Sequence, residues 1–327
     1  RRAEVIPLDN ADKFFTEFLE KAESLMELEK PHPLSSPLAV ATVKRYLAEE
    51  KHYIRLHELV TEEIEKVYNE LTSDRFKVEG VEINKDFFQQ RMREYEELIE
   101  ILRGMLTTLA YFGRGNNAYL LTEAIERIVH PQNRSGYTVY LQHYPALLLA
   151  YATGICALVK ENYSHLAAIL LKPEYRDFHE RIPVINTLDA PSVLEESFGY
   201  VPYPNAGTPA NNHIFDVLRE PLRSYLPEDE KYEEFFDIFE YLLGLVYADS
   251  ERDTDNIWGP IGRFGWRYRG RHWGSSPIQQ FIHEGIKRGE NWELLKAGFF
   301  DGSVERFKVC YEKYELLVKE KREKWHW

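Results

Sequence analysis

Along most of the chain apolar side chains return every three or four residues, the spacing that keeps one face of an α-helix apolar. After Ser36-Pro37, an N-cap followed by a first-turn proline, Val40, Val43, Leu47, Ile54, Val60, Ile64, Val67 and Leu71 hold to that spacing. They predict one long or once-kinked helix over 37–72. Asn84 caps a second helix, in which Phe88, Met92, Tyr95, Ile99, Leu102, Met105 or Leu106, and Leu109 step by four and three until Gly113 stops it. The two are expected to pack as an antiparallel pair, joined by a turn or small hairpin at 75–83. A third amphipathic helix at 120–129 ends at Pro131 and the polar run 132–136, where the boundary between an N-terminal helical lobe (1–131) and a C-terminal lobe (132–327) is placed.

Residues 139–171 read as two buried helices in a central position. Their apolar heart, 146–159, follows Gln142, His143 and Pro145 and contains Gly154, which fits a buried core helix better than a membrane span. From 182 to 212 five prolines (Pro183, Pro191, Pro202, Pro204, Pro209) and two glycines (Gly199, Gly207) rule out a long regular element. Phe198, Tyr200, Val201 and Tyr203 make this stretch too apolar for a solvated tether, so an ordered wrap over helical surfaces is expected. Helices resume at 213–225 and 229–248, the latter with Tyr232, Phe235, Phe236, Phe239, Leu242, Leu243 and Val246 on one stripe, and three more read at 277–288, 290–298 and 303–324. The expectation is an all-α fold of about ten helices in two packed helical lobes with a long ordered Pro-rich loop.

Composition narrows the function. With 44% hydrophobic and 14% aromatic residues the chain can build a substantial core, while a net charge of −13 repels phosphate at long range and argues against a general nucleic-acid coat or an anionic-membrane binder. Cys156 and Cys310 match neither a metal spacing nor a disulfide framework, so a reducing, cytoplasmic setting is expected. The start at Arg1-Arg2, without methionine or signal peptide, reads as a piece of something longer.

One basic island stands out, the loop 256–276, in which Arg263, Arg267, Arg269 and Arg271 interleave with Phe264, Trp266, Tyr268 and Trp273 among glycines. Guanidinium planes pair bidentately with phosphate or carboxylate, aromatic faces stack on bases, and glycines admit close backbone amides. Two readings stay open. In one, Arg263, Arg267, Arg269 and Arg271 bind a phosphate-bearing ligand with Trp266 and Trp273 as stacking platforms. In the other, they are internal struts neutralised by Asp249, Glu251, Asp253 and Asp255.

Other chemistry finds less support. Walker A and dinucleotide glycine motifs are absent, as is a nucleophile elbow. The run Asp249 to Asp255 lacks the glycine and the twelfth-position carboxylate of a calcium loop. Glu49 and His52 form a single Glu-x-x-His, where a helical metal site needs two on facing helices. No cofactor and no metal are expected. Arg45 and His52, seven apart on one predicted helix, resemble the arginine–histidine pattern of HEPN ribonucleases; the resemblance implies a catalytic pair acting on RNA. The stretches 144–158 (YPALLLAYATGICAL), 259–267 (GPIGRFGWR) and 294–307 (LLKAGFFDGSVERF) together resemble helical regions C-terminal to effector or DNA-binding domains in multidomain bacterial proteins, some linked to anti-phage defence. That resemblance implies a non-catalytic regulatory, sensing or oligomerisation region with a protein partner or a second copy. Nucleotide or nucleic-acid binding through the Arg–aromatic loop is the alternative.

Overall fold

The computed structural model describes residues 35–77, 84–129, 140–177, 180–196, 199–203, 207–250, 258–268 and 274–324. Among them are fourteen α-helices and one two-stranded sheet, so the fold is all-α. The helix expected over 37–72, long or once kinked, is interrupted once and fully: α1 (Ser36–Ala48) and α2 (Tyr53–Leu71) are parted at Glu49, whose φ −134 and ψ 121 are extended, and by a 3-10 turn at Glu50–His52. Two glutamates at the negative end of the α1 dipole are a reason for the helix to stop there. Asn84 caps α3 (Lys85–Leu98) as expected, its Oδ1 accepting from Phe87 N at 3.0 Å. That helix gives way at Ile99 to α4 (Glu100–Phe112), after which Gly113 is extended.

The N-terminal helices tie into α5 (Ala118–Val129), α6 (Tyr144–Val159) and α7 (Tyr163–Leu170). α1 lies along α4, α2 against α4 and α5, and α5 against α6 and α7. Arg127 of α5 clasps Glu65 of α2 through two hydrogen bonds of 2.9 Å, with its guanidinium 3.5 Å above the Tyr68 ring. Every residue from Tyr144 to Leu158 is buried, and α6 touches α3, α4, α5, α7, α9 and α10. It is apolar on all faces because helices cover all of them. The helices before and after residue 131 therefore meet along α6, while the boundary expected at 131–136 lies outside the described residues.

A hairpin absent from the sequence reading follows, β1 (Glu174–Asp177) antiparallel to β2 (Glu180–Pro183), with Tyr175 opposite Ile182. Its strands carry mostly charged side chains and so show no apolar alternation. Within the Pro-rich stretch come a 3-10 turn at Val184–Thr187 and the single-turn helix α8 (Ala190–Val193), capped by Asp189. Gln89 of α3 donates to Tyr200 O at 2.9 Å and Val201 is buried, so this part of the stretch packs on the helices as expected. The next helix, α9 (Pro209–Leu222), starts at Pro209 rather than at 213, because a first-turn proline initiates a helix as readily as it ends a loop. α10 (Asp229–Ser250) buries Tyr232, Phe236, Phe239, Leu242, Leu243 and Val246, the expected stripe except for Phe235, which is half-buried, and packs on α6, α12 (Pro277–Arg288) and α14 (Val304–Lys324). Between them sit the short helices α11 (Phe264–Arg267) and α13 (Glu293–Lys296). The helix expected at 290–298 is confined to α13, since Gly298 at φ 103 turns the chain into a strap where Phe300 and Asp301 are also left-handed.

Candidate functional site

The described half of the Arg–aromatic loop folds inward. Glu233, Asp237 and Glu240 recur at four and three residues on α10, which puts three carboxylates on one face of that helix. α11 lays Arg263 and Arg267, one turn apart, across that face. Arg263 donates from Nε to Asn212 Oδ1 at 2.9 Å and from Nη2 to Glu233 Oε1 at 3.4 Å, with its guanidinium stacked 3.5 Å from the Phe215 ring centre. Arg267 bridges Glu233, at 2.7 Å, and the fully buried Asp237. Trp266 donates to Thr208 Oγ1 at 2.9 Å and rests on Gly207.

Glycine and backbone amide take part as well. Arg263 N–H donates to Glu240 Oε2 at 2.7 Å, an approach possible because residue 262 is glycine; a Cβ there would overlap the Glu240 carboxylate. Asn211 Nδ2 donates to the other Glu240 oxygen at 2.7 Å. From the far side Arg322 of α14 donates to Gly265 O at 3.0 Å, fixing α11 in place. Within the fold, then, Glu233 and Asp237 meet the two guanidiniums, Phe215 stacks on that of Arg263, and Glu240 accepts from the Arg263 amide.

Burial sets the protonation of this network. It pushes the Glu240 carboxyl up to about 8, with the nearby Asp237 charge acting in the same direction. It pushes Asp237 up to about 6 against the opposing pull of Arg267 and Arg263. Tyr151 of α6, within 3.5 Å of Glu240, is held well above the ordinary phenol range by burial and by that carboxylate.

Arg269, Arg271 and Trp273 lie outside the described residues, as do Glu251, Asp253 and Asp255. Among the described residues the carboxylates that Arg263 and Arg267 meet are on α10, whereas Asp249 holds Arg306 of α14 with two hydrogen bonds of 2.7 and 2.6 Å. Arg45 and His52 do not share one helical face, because the break at Glu49 falls between them. Both instead lie beside Tyr46, His52 with ring centres 5.3 Å apart and Arg45 with its guanidinium carbon 5.3 Å from the ring centre. Among the described residues no group of three or more His, Cys, Asp or Glu converges as a metal site does.

Two arrangements escaped the sequence reading. Tyr144 OH, His213 Nε2 and Glu96 Oε1 meet within 3.2 Å of one another from α6, α9 and α3, far apart in sequence and without a shared motif. The other is a surface cavity of 260 Å³ at the α1–α2 break, lined by Tyr46, Glu49, Tyr53, Leu56, Arg114 and Asn117 among others. In comparisons with known proteins, no family model, no curated protein and no solved structure matches the chain.

Proposed function

We propose that the chain is a non-catalytic regulatory or oligomerisation region of a larger protein and that it self-associates through α14. The observation that carries this reading is the outward face of that helix. Phe307, Cys310, Tyr314 and Val318 turn into the core, while Val309 and Leu316, two helical turns apart on the opposite side, are 53% and 63% exposed. A two-fold contact between copies gives both a partner, since an isologous interface sets the same patch against itself. Beside Val309 the strap at Phe300 and Asp301 holds Arg306 between Asp249 and Asp301 at the edge of a 280 Å³ cavity, a charged rim next to the apolar pair. This is the role implied by the resemblance to helical regions of multidomain bacterial proteins, some linked to anti-phage defence. The internal pairing of Arg263 and Arg267 weighs against the alternative, phosphate binding by the Arg–aromatic loop.

Light scattering on the purified chain and on the double variant Val309→Asp/Leu316→Asp tests the reading. The expected result is an oligomer in the parent and a monomer in the variant, the variant keeping the parent's circular dichroism spectrum and a cooperative melt whose midpoint, unlike the parent's, does not rise with protein concentration. A parent that is monomeric at high micromolar concentration ends the proposal.

A further inference from the structure

The outward face of α14 carries more than its two apolar side chains. Val309, Glu312, Lys313 and Leu316 stand at i, i+3, i+4 and i+7, so they share one stripe of the helix, and all four are exposed. Charges nearby find partners in their own chain: Lys308 pairs with Glu305 at 3.1 Å, Lys296 with Glu293 at 2.8 Å, and Arg306 with Asp249 at 2.6 Å. Glu312 and Lys313 make no ion pair or hydrogen bond among the described residues. Lys313 has no acidic residue three or four positions away on the helix, and Lys308, the one base at that spacing from Glu312, is engaged by Glu305.

A second copy of the chain supplies what both lack. Turned end for end about a two-fold axis that passes between 312 and 313, it sets Leu316 against Val309 and Lys313 against Glu312, and each contact occurs twice. Copies running in the same direction would instead bring Glu312 against Glu312 and Lys313 against Lys313. Shape agrees with charge. The cavity of 280 Å³ beside the stripe is lined by Val309, Cys310 and Lys313 of α14 and by Ala248 of α10, which leaves room next to Val309 for the branched end of the second copy's Leu316. Farther out, Glu305 faces Glu320 of the second copy, but helices that cross at an angle part on either side of the crossing point and keep those two glutamates away from each other.

On the reading that the chain self-associates through α14, we propose that the two copies run antiparallel, centred between Glu312 and Lys313, and that two Glu312–Lys313 ion pairs between copies set the register.

Sedimentation equilibrium of the full chain at low ionic strength tests it. Glu312→Lys turns both crossing pairs into like charges, as does Lys313→Glu, and each should raise the dimer dissociation constant about tenfold or more. The double variant Glu312→Lys/Lys313→Glu exchanges the charges and should return the constant close to the parent value. Both positions are exposed, so the variants should keep the parent's circular dichroism spectrum. A spin label at Lys321→Cys reads the direction separately, since Cys156 and Cys310 are buried. Antiparallel copies hold the two labels about 25 Å apart along the helix, at about 1.5 Å per residue, while parallel copies bring them within about 10 Å. If a charge variant does not fold, the label distance decides alone. A parent that stays monomeric removes the register together with the reading it rests on. A parent dimer unaffected by Glu312→Lys and by Lys313→Glu, a double variant no tighter than the single ones, or labels within about 10 Å would overturn the register and leave association through α14 standing.

Discussion

Glu240 is a carboxylate with 2% of its surface exposed, held by an amide, a carboxamide and a phenol in place of water. Its carboxyl is pushed from 4.5 up to about 8 by that burial. Between those values the folded chain keeps a proton that the unfolded chain has released, so stability must fall as pH rises through the interval and level off above it. From pH 6 to pH 9 the loss is on the order of 2 kcal/mol. Glu240→Gln, neutral at every pH, should flatten the profile and leave the variant the more stable protein at pH 9; urea midpoints at the two pH values check it. The arginines facing this network were legible in the sequence. Their partners were not, because Glu233, Asp237 and Glu240 interleave with an aromatic stripe that draws attention to itself, and which carboxylate an arginine meets is settled by distant packing.

At the scale of elements, local chemistry was a reliable guide where it acts alone. Asn84 caps a helix and Gly113 stops one, while Pro209, read as part of the loop, starts one. It failed where two local tendencies compete, as at Glu49, where apolar spacing runs on through a break the backbone makes. The hairpin at β1 and β2 stayed hidden because its strands are polar and short. Gly154 shows what spacing alone cannot reveal: it lies where α6 meets α10, and a Cβ would run into the Phe239 ring. Gly154→Ala therefore trades a gain in helix propensity for a clash between two central helices. The expected net loss is on the order of 1–3 kcal/mol, read from the denaturant midpoint at unchanged slope.

Over the whole molecule α6 is the common neighbour. The α3, α4 and α5 helices approach it from the N-terminal side and α9 and α10 from the C-terminal side, so it cannot lose its structure while either group stays packed. Its amides should exchange with solvent only when the entire fold opens, with exchange free energies equal to that of global unfolding, whereas those of the exposed half of α14 should exchange at lower cost. Native-state hydrogen exchange in low urea separates the two. The centrality of α6 was visible in its unbroken apolar run; which helices surround it was not, since their apolar stripes would suit many pairings. The cavity at the α1–α2 break was illegible for a related reason, as it joins residues near 50 to residues near 115 and exists only because the helix does not continue.

The seating of α11 has a last consequence. Its guanidiniums, its backbone amides and Trp266 are met by α9 and α10 as a receptor meets a peptide, so the stretch from Trp258 to Tyr268 is a guest whose host is its own chain. Covalent attachment supplies a high effective concentration, and occupancy never depends on how much protein is present. Cut on both sides, the same segment would become a bimolecular ligand, able to leave on dilution and to be replaced by a free peptide of its own sequence.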